Sequence, residues 1–161
     1  MAGEPIMIDW DQLRSLTAGL AEQVAREGDP DVVVGVLRGG MVPAVLMCHA
    51  LGSRELRAVD VTHTLSDKVA ADKSDAPTVR NENALGELAG LDVLIVDDIA
   101  GSGDTLEAVH GLIAGRGAAR IRSAVCIVNV ANWNRQQPAD QYVTYIGDAV
   151  ERWVVFPWEA S

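Results

Sequence analysis

"VLIVDDIAGSGDTL" (residues 93–106) decides how the rest of the chain reads. A continuous, mostly β-branched apolar run is the pattern of a strand buried on both faces. It leads into two adjacent carboxylates, Asp97 and Asp98. Gly101, Ser102 and Gly103 follow as a bend, and then Leu106, Val109, Leu112 and Ile113 recur at helical spacing. In a strand–bend–helix unit, the first N–H groups of the helix point out of the bend, with the positive end of the helix dipole behind them. Ser102 and Thr105 add hydroxyls, and the whole forms a cradle suited to phosphate. No lysine follows the glycines, so this is not a Walker loop; Leu106 stands where a dinucleotide fingerprint needs its third glycine. Carboxylates beside a phosphate repel it unless sugar hydroxyls or a hard cation such as Mg²⁺ stand between. The local chemistry is that of a sugar-phosphate site. The same residues would also serve a tight βα connection whose acids merely cap the turn.

Working outward, residues 10–24 carry Trp10, Leu13, Leu16, Leu20 and Val24 on one helical face, with Asp9 as N-cap. "DVVVGVL" (31–37) is a second buried strand, "RGG" (38–40) punctuates it, and 42–51 reads as a helix. Strands follow at 56–64, 91–97 and 121–130, and 141–147 and 152–158 are short and aromatic-rich. Residues 63–84 are polar, charged and without clear period, a long loop with room for a short hairpin. The alternation of strands and helices gives an α/β class: a Rossmann-like, mostly parallel sheet flanked by helices, in one domain spanning 1–161. Such sheets bind ligands at the carboxyl ends of their strands, beside a topological switch point. "RGG" and "DDIAGSGDT" both lie at strand ends, so both should face one crevice.

The 161 residues carry a net charge of −10, which disfavours nucleic acid and anionic membrane as partners. No apolar run approaches the ~18 residues of a membrane span, and no leader is evident. Cys48 and Cys126 lack metal-ligand spacing and read as reduced core thiols of a cytoplasmic protein.

The quoted stretch resembles the PRPP-binding signature of type I phosphoribosyltransferases: apolar residues, two acids, a short spacer, then a small-residue bend ending in threonine. Three further segments resemble that family in order, closest in pattern to its xanthine/guanine and archaeal-type purine members. "VGVLRGGMVPAVLMCHALG" (34–52) resembles the pyrophosphate loop, residues 63–80 take the place of the flexible catalytic loop, and "ERWVVFPWE" (151–159) resembles the small C-terminal hood, here 141–161. The resemblance implies Mg²⁺-dependent transfer of a 5-phosphoribosyl group from PRPP to a nitrogen acceptor, a purine-like base or an atypical heterocycle or amine, with release of pyrophosphate. Arg38, Gly39 and Gly40 would meet the diphosphate. Asp97 and Asp98 would hold the ribose hydroxyls, and Ile99, Ala100, Gly101, Ser102, Gly103, Asp104 and Thr105 the 5′-phosphate. Trp153 would stack on the base, the main chain at Val154 would read its edge, and Glu159 would join Asp97 and Asp98 around the metal through water or ligand hydroxyls. The catalytic set implied is Arg38, Asp97 and Asp98. Family members pair, which implies a homodimer or homotetramer.

Two departures stand out. The 6-oxopurine members carry an aspartate where this chain has Gly101, and a lysine on the strand after the next helix, whereas no lysine follows Lys73 here. Either Arg135 or Arg152 substitutes, or the acceptor is not a 6-oxopurine. His63, Lys68, Lys73 and Arg80 are further candidates at the loop. A non-catalytic PRPP or nucleotide sensor on the same fold is the alternative, and a phosphosugar-binding domain within a larger complex is a weaker one.

Overall fold

A computed structural model describes residues 3–62 and 77–160. The loop readings on 63–76, with His63, Lys68 and Lys73, fall outside those residues.

The first helix, α1 (Trp10–Arg26), starts where the sequence indicates. Asp9 Oδ1 accepts from the Gln12 N–H at 2.7 Å, and Gln12 Oε1 accepts from the Asp9 N–H at 2.8 Å. This reciprocal cap is worth about 1 kcal/mol. Ahead of it lies β1 (Ile6–Met7). Then come β2 (Val32–Leu37), α2 (Met41–Leu51), β3 (Leu56–Thr62) and β4 (Thr78–Val79), the last antiparallel to β3. A 3-10 turn at Glu82–Leu85 leads to β5 (Asp92–Ala100), α3 (Asp104–Gly115), β6 (Arg120–Asn129), the short α4 (Ala139–Tyr142), β7 (Tyr145–Val150) and β8 (Val154–Val155).

Six strands form the main sheet in the order β4-β3-β2-β5-β6-β7, parallel except for β4. Helices α1 and α2 cover one face, where Leu13, Leu20 and Val24 meet Leu94, Val96 and Phe156. Helix α3 covers the other, where Leu106, Val109 and Ile113 meet Val34, Ile95 and Val125. Both faces are sealed, which is why the central strands read as unbroken apolar runs. After β2 the chain crosses to β3 on one side; after β5 it crosses to β6 on the other. The gap between the carboxyl ends of β2 and β5 is therefore the switch point, and both glycine-rich bends open there.

Two findings differ from the sequence reading. Strand β5 does not stop at Asp97. Its ladder with β2 ends at Gly35–Val96, but pairing with β6 continues through Ile99–Ile127 and Ala100–Val128. The acid pair thus sits in strand backbone that has lost one neighbour and kept the other. Of the 141–161 segment, 145–150 form the edge strand of the main sheet, while β8 pairs in parallel with β1 in a separate two-stranded sheet.

Candidate functional site

The two bends meet through the acid pair. Asp97 is 6% exposed, and its Oδ1 accepts from the Asp98 N–H at 2.9 Å. The same oxygen presses on the bend after β2: a Cβ on Gly40 would stand 2.9 Å from it. Asp98 Oδ1 accepts from the Ile99 N–H at 2.8 Å, and its Oδ2 lies where a Cβ on Gly39 would be. Only glycine at 39 and 40 lets the bend come this close. Arg38, next to it, is exposed at the mouth of the switch point.

Among the described residues neither acid has an ion-pair partner. Burial, reinforced by the Asp98 charge, holds the Asp97 carboxyl well above the usual carboxylate range. Burial also raises Asp98, and the charge of Glu159 adds to it. Glu159 is therefore electrostatically close to the pair. Its own carboxylate accepts from the Phe156 N–H at 2.9 Å, which fixes its direction. No three ligating side chains among the described residues converge tightly enough to hold a metal alone. Uncompensated buried carboxylates, hard and oxygen-only, fit Mg²⁺ that completes its shell with water or ligand oxygens.

Beyond the pair, a cavity of about 250 Å³ is lined by Asp97, Ile99, Ala100, Gly101, Ser102, Gly103, Asp104, Thr105 and Leu106. Ile99 through Thr105, the residues that the resemblance assigns to the 5′-phosphate, line it together with Asp97 and Leu106. Gly103 has φ +86°, a left-handed value that turns the chain into α3. Ser102 Oγ accepts from the Asp104 N–H at 3.3 Å.

At the C-terminal side Trp153 is 69% exposed, an apolar ring open to solvent. Its carbonyl accepts from the Ile6 N–H at 2.8 Å, and the Val155 carbonyl accepts from the Ile8 N–H at 2.9 Å. Alternate residues of a strand turn their polar groups to opposite sides. Val154, between these two, therefore directs its N–H and C=O away from β1. Phe156 and Trp158 stack at 4.7 Å, and Trp158 meets Trp10 at 6.3 Å, so these rings anchor the segment to α1.

Residues 9–161 match the phosphoribosyl transferase domain family. The chain belongs to that family. It is a phosphoribosyltransferase. It is 31% identical over 160 residues to a xanthine-guanine phosphoribosyltransferase of Roseobacter denitrificans, covering 96% of this chain and 85% of the relative. A crystal structure of a purine phosphoribosyltransferase from Pyrococcus horikoshii superposes with a TM-score of 0.79 at 33% identity, covering 99% of this chain and 97% of that one. The xanthine-guanine-hypoxanthine phosphoribosyltransferase of Helicobacter pylori has the same fold, with a TM-score of 0.76 at 21% identity.

Of the two substitute base readers named from the sequence, Arg135 is held by several partners, while Arg152 is exposed and makes a single hydrogen bond. Arg135 is bonded to the Ser102 carbonyl, Asp104 and Glu107 of this phosphoribosyltransferase. The Arg152 guanidinium donates to the Glu4 carbonyl at 3.3 Å. Arg80 pairs with Asp60 at 3.0 Å. The side chain nearest Gly101 is instead Asn132, whose Cβ and Nδ2 would lie 3.6 Å and 3.9 Å from a Cβ there. Sequence reasoning missed Asn132, because nothing in the spacing of "NVANW" singles it out.

Proposed function

We propose that this phosphoribosyltransferase moves the 5-phosphoribosyl group of PRPP, with Mg²⁺, onto a ring nitrogen of a purine base and releases pyrophosphate. The observation that carries this reading is the contact of Asp97 and Asp98 with Gly40 and Gly39 beside the Gly101–Thr105 cavity. One unit then offers anion-accepting N–H groups to the 5′-phosphate, carboxylates to the 2′- and 3′-hydroxyls, and Arg38 with the glycine backbone to the diphosphate. The purine acceptor is supported by the similarity to xanthine-guanine and purine phosphoribosyltransferases. The sensor alternative loses support for the same reason.

In this mechanism the reacting C1′ gathers positive charge as its bond to the diphosphate lengthens. The buried negative charge of Asp97 and Asp98 lies on the side where that charge develops, in a low-dielectric setting that strengthens it. Their hydrogen bonds to the ribose hydroxyls fix the ring for in-line attack, a positioning effect worth several kcal/mol. Asp97, Asp98 and Glu159 would hold Mg²⁺ through water or ligand hydroxyls, and the metal would supply positive charge to offset that of the departing diphosphate. Arg38 shares that charge. Trp153 stacks on the base, and Val154 presents main-chain groups to its edge.

Gly101 removes the carboxylate that 6-oxopurine members direct at the base, and the Asn132 amide takes up the adjacent space. An amide offers one acceptor and two donors, enough to address a 6-oxo group or a ring nitrogen without a charge. A cytoplasmic setting and a homodimer or homotetramer complete the proposal. The two buried free cysteines, Cys48 and Cys126, suit a reducing compartment.

The test is nucleotide formation from PRPP and Mg²⁺ with guanine, xanthine, hypoxanthine and adenine supplied separately. The reading requires turnover of at least one of these bases; product from none of them refutes it.

A further inference from the structure

Helix α3 opens with a contradiction. Its N-terminus is the anion-accepting end of the cradle, yet its first turn carries two carboxylates, Asp104 and Glu107. Acids there stabilise a helix by opposing its dipole, but they compete with a phosphate for the same field. Asp104 itself lines the cavity.

One side chain answers both. Arg135, from the segment after β6, reaches back over the bend and is only 18% exposed. Its Nη2 lies 2.8 Å from Asp104 Oδ1 and 2.8 Å from Glu107 Oε2. Its Nε donates to the Ser102 carbonyl at 3.0 Å. The guanidinium stacks 4.7 Å from the ring centre of Tyr142, and Tyr142 meets Trp133 edge-on at 5.7 Å. A Cβ on Gly103 would stand 2.7 Å from Arg135 Nε and 3.1 Å from Trp133 Cη2. The arginine thus lies on the outer side of the bend, and it is not among the residues lining the cavity.

We propose that Arg135 is a positioning residue for the 5′-phosphate cradle, acting without touching substrate. It does so in two ways. It neutralises part of the Asp104–Glu107 charge, so that the helix end keeps its affinity for an anion. It also fixes the Ser102–Gly103 peptide: in a trans peptide the N–H points opposite the C=O, so tying the Ser102 carbonyl outward directs the Gly103 N–H to the cavity side. Arginine suits this role because its planar fork serves three acceptors at once. The inference rests on the phosphoribosyl-transfer reading and adds a residue to it.

Calorimetry with two probes tests it: PRPP with Mg²⁺, and ribose 5-phosphate, which carries the 5′-phosphate without the diphosphate. Arg135→Ala weakens both by a similar factor, roughly tenfold to a hundredfold on the scale of a lost charged hydrogen bond. KM for PRPP rises in step, while kcat at saturating PRPP stays within a few-fold of the parent. Adding Glu107→Gln to Arg135→Ala recovers part of the lost affinity, because it removes charge the arginine no longer offsets. Melting temperatures are read alongside. A lower melting temperature with unchanged ribose 5-phosphate affinity overturns the proposal and leaves a structural clamp. So does an affinity loss that Glu107→Gln does not relieve. If the parent protein itself binds neither probe, the functional reading fails and this inference falls with it. If the parent binds both and Arg135→Ala binds them equally well, only this inference fails.

Discussion

The Asp98 carboxylate rests on the backbone of Gly39, with Oδ2 occupying the space a Cβ at 39 would need. The bend after β2 and the acid pair are therefore one packed unit. Gly39→Ala must push Asp98 aside. A displacement on the order of 1 Å at such a centre costs about a hundredfold in rate. Steady-state kinetics should show kcat/KM for PRPP down by about that factor. The fold should persist, because 39 is at the rim of the sheet and outside both apolar cores.

Asp97 and Asp98 burden the ligand-free protein. Their carboxyls ionise above the ordinary carboxylate range because they are buried together. The unfolded chain ionises them near pH 4. Between these limits the folded state holds more protons, so stability falls as pH rises. The pair's contribution is complete below about pH 4 and is lost as pH climbs through the raised values. At neutral pH, Asp97→Asn should then melt higher than the parent without ligand, and gain far less from PRPP with Mg²⁺. Differential scanning fluorimetry with and without ligand reads both; a lower ligand-free melting temperature for the variant contradicts the electrostatic account.

Asn132 is the side chain that a Cβ at Gly101 would meet, at 3.6 Å, and the proposed reading gives it the base. Asn132→Ala should raise KM for the base by about tenfold, the worth of one hydrogen bond to a buried partner, and leave KM for PRPP unchanged. Initial rates at varied base and at varied PRPP separate the two. Equal shifts in both constants would assign Asn132 to the cradle instead of the base.

At the opposite end of the strands Arg122 is 3% exposed. It donates to Asp92 at 3.1 Å, to the Tyr145 hydroxyl at 3.2 Å and to the Gly28 carbonyl at 2.7 Å. Arg122→Ala strands these acceptors and should cost about 3–5 kcal/mol in urea unfolding. At temperatures where the variant is folded, kcat should match the parent, since none of these partners is near the switch point.

The sequence carried what depends on neighbours along the chain. The capping residues of α1, the apolar runs of β2 and β5, and the glycine bends at 38–40 and 101–103 are local signals. They were enough to bring Arg38, Asp97 and the cradle to one crevice. The missed features depend on distant partners. The extension of β5 to Ala100 exists only because β6 continues beside it. Strands β1 and β8 are two residues each, too short for any period to register. Arg135 looked available as a base reader because nothing in "NWNRQQP" reveals that Asp104 and Glu107, some thirty positions earlier, would claim it.

The account stands or falls on whether the acid pair and the cradle hold a phosphorylated ribose together. Titration calorimetry of PRPP in the presence of Mg²⁺ addresses this most directly, with the parent protein beside the Asp97→Asn/Asp98→Asn variant. The predicted result is saturable one-to-one heat for the parent and none for the variant at the same concentrations. Equal affinity in the two proteins, with both shown folded by circular dichroism, would contradict it.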